Sequence, residues 1–367
     1  MWSYEANADT CVADFAGAVE ADVPSKGSWQ QDYADYCAKF SIIPCPNIKM
    51  ASVMVDFEGC RVLNAVVDLS SWRAMLLACC CKDSKVIEIS VHGCHLRAQH
   101  IEDLATALRR MGSCQALKLQ YLDLRLTEET TAPMQKALSE LLGDSSSGLQ
   151  YASLRGNAFS DSFMAAIIPA LGPNVKLTTL NLAENALTDE SGALLVAALR
   201  LNSSLRWVSL ASNRMTGGFL ASMTSFLIGA ELLPEDDAAL KANAKVLDAK
   251  NKALKDVNKK RKKAGAAELK DLAAGPDCTI KREKTLFLVN RSLACLDLSK
   301  NTGLSAQLVA AFAQAIAAAP ADLALSPAAS RAEDAPPMLL QLSGSGFAEA
   351  SAKEINRTPV PWLELAL

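Results

Sequence analysis

An α/β solenoid is the fold that this 367-residue chain predicts: parallel β-strands on the concave face of an arc, helices on the convex face. Three observations carry it. Two consecutive segments, Leu177-Thr178-Thr179-Leu180-Asn181-Leu182-Ala183-Glu184-Asn185-Ala186-Leu187 and Leu205-Arg206-Trp207-Val208-Ser209-Leu210-Ala211-Ser212-Asn213-Arg214-Met215, both read L-x-x-L-x-L-x-x-N-x-L, with Val208 and Met215 as apolar stand-ins. They start 28 residues apart, and a fixed period of that size marks a repeat architecture. The stretch after each strand segment carries apolar residues at helical spacing, as in Leu194, Leu195, Ala198 and Leu199. The pattern is the leucine-rich repeat signature, and a unit of this length with a full helix is its ribonuclease-inhibitor-like form.

Half of the residues are hydrophobic and 21% are charged, so there is ample material for a core. A formal net charge of −3 gives no global reason to expect nucleic-acid binding. The first 25 residues are acidic and lack a continuous apolar run, which predicts no signal peptide. Leu304–Leu325 is interrupted by Gln307, Gln314, Pro320 and Asp322, which predicts no membrane span. Eleven cysteines without a Cys-x-x-Cys pair fit reduced thiols in the cytoplasm.

The chain divides into an N-terminal arm and cap (1–49), about six repeats (50–229), a basic helical insert (230–290), one clear and one partial C-terminal repeat (291–350) and a tail (351–367). In the arm, Ser28 caps a short helix to about Lys39, and residues 28–49 cover the open end of the first repeat. Residues 1–27 stay open between partner contact and disorder. The repeats start near Met50 (Val53 and Val55 inward) and then at Val86, Cys114, Leu149, Leu177 and Leu205. The Asn of each motif bonds backbone groups where the chain leaves the strand. The insert is a helix opening at Asp236 or Asp237 and reaching about Lys263, with Leu240, Leu247 and Leu254 seven apart. Ten Lys/Arg against three Asp over 237–263 give it +7, ending in Lys259-Lys260-Arg261-Lys262-Lys263. That composition reads equally as a solvated helix or as contact with an acidic surface. The repeats resume at Leu293, with Leu296, Leu298 and Asn301 in place, and close with Leu340, Leu342 and Ser345 at the Asn position; Pro359-Val360-Pro361-Trp362 is an extended tail.

No catalytic constellation emerges, and no cofactor or metal is expected. His92-x-Cys94-His95, followed by His100, matches no standard metal spacing and points in divergent directions along a strand and turn. Cys79-Cys80-Cys81, on an apolar helix, reads as core filling. The informative surface is the strand face, where alternate positions point away from the core. There Tyr151, Thr179 and Trp207 fall at one register with Arg155 near them, a composition suited to protein binding. A cover supplied by the insert or another part of the chain is the competing reading for Trp207.

The segment Leu177–Met215, with its linker Ala197–Trp207, resembles the central repeats of the leucine-rich repeat-containing protein 71 family. The Pro-Cys segment within Phe40–Met50, a Lys-rich insertion and the isolated repeat Leu293–Leu304 are similar in layout, although this insert is shorter. The resemblance implies a structural, non-enzymatic component of the axoneme of motile cilia and flagella, part of the cytoskeleton. It implies a scaffold within a large assembly of other axonemal proteins; the charge of the insert adds tubulin or another acidic surface as a partner, and composition and hydropathy point to neither nucleic acid nor membrane. The alternative is a cytosolic regulator of a small GTPase, GTPase-activating-protein-like. The ending Trp362-Leu363-Glu364-Leu365-Ala366-Leu367 lacks the acidic tail expected of that class.

Overall fold

A computed structural model describes residues 14–21, 23–54, 57–227, 230–231, 234–263, 279–282, 285–288, 292–318, 338–345 and 363–366. It divides into two units, Met1–Asn157 and Ala158–Leu367. Both are α/β, each built on an open, mostly parallel sheet whose strands follow chain order. Among the described residues, no helix is long and apolar enough to cross a membrane.

The first unit opens with α1 (Phe15–Glu20) and α2 (Trp29–Lys39). Ser28 caps α2 by accepting from the Gln31 amide at 3.3 Å, as the sequence predicts. Segment 14–21, left open between partner contact and disorder, packs instead: Phe15 and Val19 are buried, and the Arg73 guanidinium lies 5.5 Å from the Phe15 ring. Residues 1–13 lie outside the described ones.

The first repeat does not start at Met50. Strand β1 (Ile48–Met54) is antiparallel to β2 (Phe57–Leu63), so it is the edge strand of a hairpin. The first parallel strand is β2, with Cys60 and Val62 fully buried at the fourth and sixth motif positions counted from Phe57. From Phe57 to Val86 is 29 residues, close to the 28-residue period, whereas a start at Met50 would leave 36. Val55 lies outside the described residues. The unit continues through α3 (Leu69–Cys79), β3 (Val86–His92), α4 (Ala98–Arg110), β4 (Ala116–Gln120), α5 (Glu128–Gly143) and β5 (Tyr151–Ser153). Trp72 is fully buried and donates its indole N–H to the His100 carbonyl at 2.9 Å. A buried pair, Arg73 Nε to Asp103 Oδ2 at 2.6 Å, ties α3 to α4.

The second unit holds α6 (Asp161–Met164), a 3-10 turn (Ile168–Leu171), β6 (Thr179–Asn181), α7 (Asp189–Leu201), β7 (Trp207–Ser209) and α8 (Gly217–Leu227). The insert follows: β8 (Ala230–Glu231), α9 (Pro234–Lys263), β9 (Thr279–Arg282) and β10 (Thr285–Leu288). Then come β11 (Cys295–Asp297), α10 (Ala306–Ala317), β12 (Met338–Gln341) and β13 (Leu363–Ala366). Strands β6, β7, β11, β12 and β13 are parallel neighbours in that order. The array is therefore continuous across the insert: β11 pairs directly with β7, Cys295 beside Trp207. The tail residues 359–362 lie outside the described residues, while the four that follow add strand β13.

Two periodic devices hold each turn. The eighth motif residue takes a positive φ: Asn64 (46°), Gly93 (64°), Tyr121 (51°) and Gly156 (73°) in the first unit, Glu184 (56°), Ser212 (53°), Lys300 (59°) and Gly344 (70°) in the second. Its amide donates to the seventh residue of the next repeat, as in Glu184 to Ala211 (2.9 Å), Ser212 to Ser299 (2.8 Å) and Lys300 to Ser343 (2.9 Å). The ninth residue is Asn at 157, 185, 213 and 301. Asn213 donates to the Leu182 and Leu210 carbonyls, both at 3.0 Å, and accepts from the Leu187 amide at 3.1 Å. Asn301 treats Leu210, Leu298 and Met215 in the same way, at 3.0, 2.8 and 2.9 Å, with the whole insert between it and Leu210. The predicted role of the Asn is what the structure shows.

Candidate functional site

On the strand face of the second unit, Thr179 pairs with Trp207 and Trp207 with Cys295, which in turn pairs with Leu339. Trp207 is half-buried, and Cys295 is its register partner on β11. Burial first, then the nearby Asp297 carboxylate, push the Cys295 thiol up to about 11, while the neighbouring Trp207 indole opposes the shift. The competing reading, a cover for Trp207 from elsewhere in the chain, thus has part of its basis in the strand that follows the insert. Cys295 escaped the sequence reading, although the same second-position rule applied to the unit starting at Leu293 finds it.

The next register explains why this face is polar. Asn181 Oδ1 accepts from the Ala183 amide at 2.9 Å, Ser209 Oγ from Ala211 at 3.3 Å, and Asp297 Oδ1 from Ser299 at 3.0 Å. Ser209 also donates to Asp297 Oδ2 at 2.8 Å. These side chains close their own turns, so they shape the face more than they offer free donors.

Tyr151 and Arg155 belong to the first unit. Tyr151 pairs with Ala116, and the Arg155 carbonyl accepts from the Tyr121 amide at 3.1 Å. On that unit's strand face, Lys118 Nζ meets Glu88 Oε2 at 2.7 Å and Gln120 donates to Ser153 Oγ at 2.7 Å. Of the four predicted face residues, the structure joins Thr179 to Trp207.

The basic run lies where the sequence places it, in the last turns of α9. Lys259 and Lys262 are exposed, and Lys260, Arg261 and Lys263 belong to the same helical segment. Lys259 sits 3.5 Å from Asp256 and Lys241 2.6 Å from Asp237, exposed pairs of small worth that leave the segment strongly positive. At the other end, Arg200 of α7 meets Asp236 at 2.8 Å with both side chains mostly buried. The sequence reading missed that β8 and β10 pair across the base of the insert, Ala230 with Leu288 and Glu231 with Phe287. The helix is therefore the upper part of a pinned stem.

The histidines each have a separate partner. The His92 ring lies 5.0 Å from that of Tyr121, His95 Nδ1 is 2.7 Å from the Asp123 carbonyl, and His100 is buried with Nε2 3.0 Å from the Val67 carbonyl. Among the described residues no group of three or more His, Cys, Asp or Glu is placed to hold a metal ion. Cys79, Cys80 and Cys81 are buried, as core filling requires. Cys79 accepts from the Trp29 indole at 3.1 Å, and burial holds its thiol well above the usual range.

Compared with known proteins, this chain matches no family model and no curated protein.

Proposed function

We propose that this chain is a leucine-rich-repeat protein of the ribonuclease-inhibitor-like kind, its strands lining the concave face of an arc, and that it works as a non-catalytic protein-binding scaffold of the ciliary or flagellar axoneme. The observation that carries the reading is the continuity of the repeat across the insert. Asn301 and Ser299 engage Leu210, Met215 and Ser212 as any neighbouring repeat would. A basic helix is thereby extruded from an unbroken frame. This gives one protein two separate attachments: the strand face around Thr179 and Trp207, and the cationic end of α9. The resemblance of Leu177–Met215 to the protein 71 family supports the axonemal setting, and the charge of the insert supports tubulin or another acidic surface as one partner.

Axonemes isolated from ciliated cells expressing the tagged chain, extracted with detergent and then with salt, test this. The chain is expected in the detergent-insoluble fraction with release that steepens with salt, since attachment through several lysines is screened. Charge reversal at Lys259–Lys263 is expected to loosen retention and flatten the salt dependence. Full release into the detergent extract would remove the axonemal reading.

A further inference from the structure

The insert carries more than charge. Leu240, Leu247 and Leu254 recur at seven-residue spacing and lie half-buried along one side of α9. The residues four beyond each are Ala244, Asn251 and Asn258. This alternation by four and three is a heptad, with Leu at d over three heptads, Arg261 at the d that follows, and Ala or Asn at a. Asn at a fixes register in paired helices at some cost in stability. A solvated spacer has no need of such a seam. The helix runs 30 residues, about 45 Å at 1.5 Å per residue. Its start is fixed by the Arg200–Asp236 pair at 2.8 Å and by the β8–β10 pairing, so the seam beyond Leu240 is presented from a defined base.

The flanks of that seam choose the partner. Positions e are Lys241, Asp248, Lys255 and Lys262, and positions g are Asn243, Lys250 and Val257. Two parallel copies would set Lys250 of one against Lys255 of the other, and each helix carries +7 over 237–263. Like charges facing each other at e and g oppose pairing, while opposite charges set partner choice.

We infer that α9 is one strand of a heterotypic coiled coil, and that its partner is an acidic amphipathic helix with an apolar seam and Glu or Asp facing Lys241, Lys250 and Lys255. The inference deepens the scaffold reading, on which it rests for the claim that the insert binds a protein at all.

The test uses the full chain and a synthetic four-heptad peptide with Leu at a and d and Glu at e and g, against a scrambled peptide of identical composition. The heptad peptide is expected to bind at micromolar concentration and the scrambled one at least about tenfold more weakly, a difference of ~1.4 kcal/mol. The triple change Leu240→Ser, Leu247→Ser, Leu254→Ser is expected to remove that difference while thermal unfolding of the repeat array is unchanged. Lys250→Glu with Lys255→Glu is expected to weaken the Glu peptide and to admit a Lys-flanked one. Equal affinity for the two peptides would overturn the inference in favour of a plain cationic patch, and so would self-association of the full chain in sedimentation. Axonemal retention of the unmodified chain is scored separately. Retention without selective peptide binding removes this inference and leaves the scaffold; selective binding without retention does the reverse.

Discussion

The two units close the same turn with different chemistry. In the second unit the ninth motif position holds Asn185, Asn213 and Asn301, then Ser345. Each Asn is buried and bonds backbone groups at both ends of its amide, while among the described residues Ser345 Oγ reaches the Leu298 carbonyl at 3.4 Å. In the first unit the position holds Ala65, Cys94 and Leu122, and the amide appears only at Asn157. Other groups stand in. Asn47, in the turn just before the edge strand, donates to the Leu63 and Asn64 carbonyls at 2.9 and 3.2 Å. Asn157 reaches back to accept from the Leu122 amide at 2.8 Å and to donate to Leu119 at 2.9 Å. Yet φ at the eighth residue is positive in both units, even at Tyr121, where a bulky side chain disfavours it. The backbone path is thus what the repeat requires. The amide is one way of satisfying the groups that path buries.

The sharpest test of that comparison is to delete an amide from the second unit. Asn213→Leu keeps the branched shape and strands the Leu187 N–H and the Leu182 and Leu210 carbonyls. Each buried group left without a partner costs roughly 1–3 kcal/mol, so a loss on the order of 3 kcal/mol is expected. Denaturant unfolding measures it. A loss below about 1 kcal/mol would mean that water or neighbouring groups replace the amide, and that the two units do not differ in this respect.

This contrast also explains what could be read beforehand. Leu177–Met215 was legible because Leu180, Leu182 and Asn185 repeat as Val208, Leu210 and Asn213, all buried. The start of the array was misplaced because the alternation at Val53 and Val55 imitates a repeat strand, while the true one is marked by Phe57, Cys60 and Val62 without an Asn. The ladder of positive φ was hidden because Glu184, Ser212, Lys300 and Tyr121 stand where glycine would have announced it. Strands β8, β9, β10 and β13, two to four residues each, are too short for a period. At the candidate site, alternation sufficed to set Thr179 beside Trp207. The contacts with Cys295 and Asp297 depend on strands joined across the insert, 88 residues apart in the case of Ser209 and Asp297, which no local pattern encodes.

Acid should separate the units next. His100 caps α4 in the first unit: its Nδ1 accepts from the Arg97 amide at 3.1 Å, so Nε2 carries the proton donated to Val67. The ring is neutral, and burial holds its pKa below the ordinary value of 6.5. Above that pH neither the folded nor the unfolded ring binds a proton, and the group has no effect. As pH falls through 6.5 the unfolded chain takes up a proton that the folded one refuses, so stability declines by up to about 1.4 kcal/mol per pH unit. Asp144 and Asp161, whose carboxyls are held below 3.8 by hydrogen bonds despite burial, lose their contribution only in stronger acid. Denaturant midpoints at pH 7.5, 6.5 and 5.5 should therefore fall for the parent and fall less steeply for His100→Gln. An unchanged slope in the variant would exclude His100 as the origin.

The smallest effect, and the most specific, is expected from giving the first unit the amide it lacks. Cys94 Sγ lies 3.5 Å from the Val62 carbonyl and 3.3 Å from that of His92. Val62 stands to Cys94 as Leu182 stands to Asn213, sixth residue of the preceding repeat to ninth of the next. A thiol is a weak donor and an amide a strong one, so Cys94→Asn replaces two poor hydrogen bonds with good ones of the kind Asn213 makes. A gain of about 0.5–1 kcal/mol is expected, the net worth of one hydrogen bond, while Cys94→Ala should lose about as much. If Cys94→Asn instead destabilises, the turn in the first unit has adapted its spacing to sulfur. The shared backbone path would then conceal two distinct packings rather than one packing with interchangeable closures.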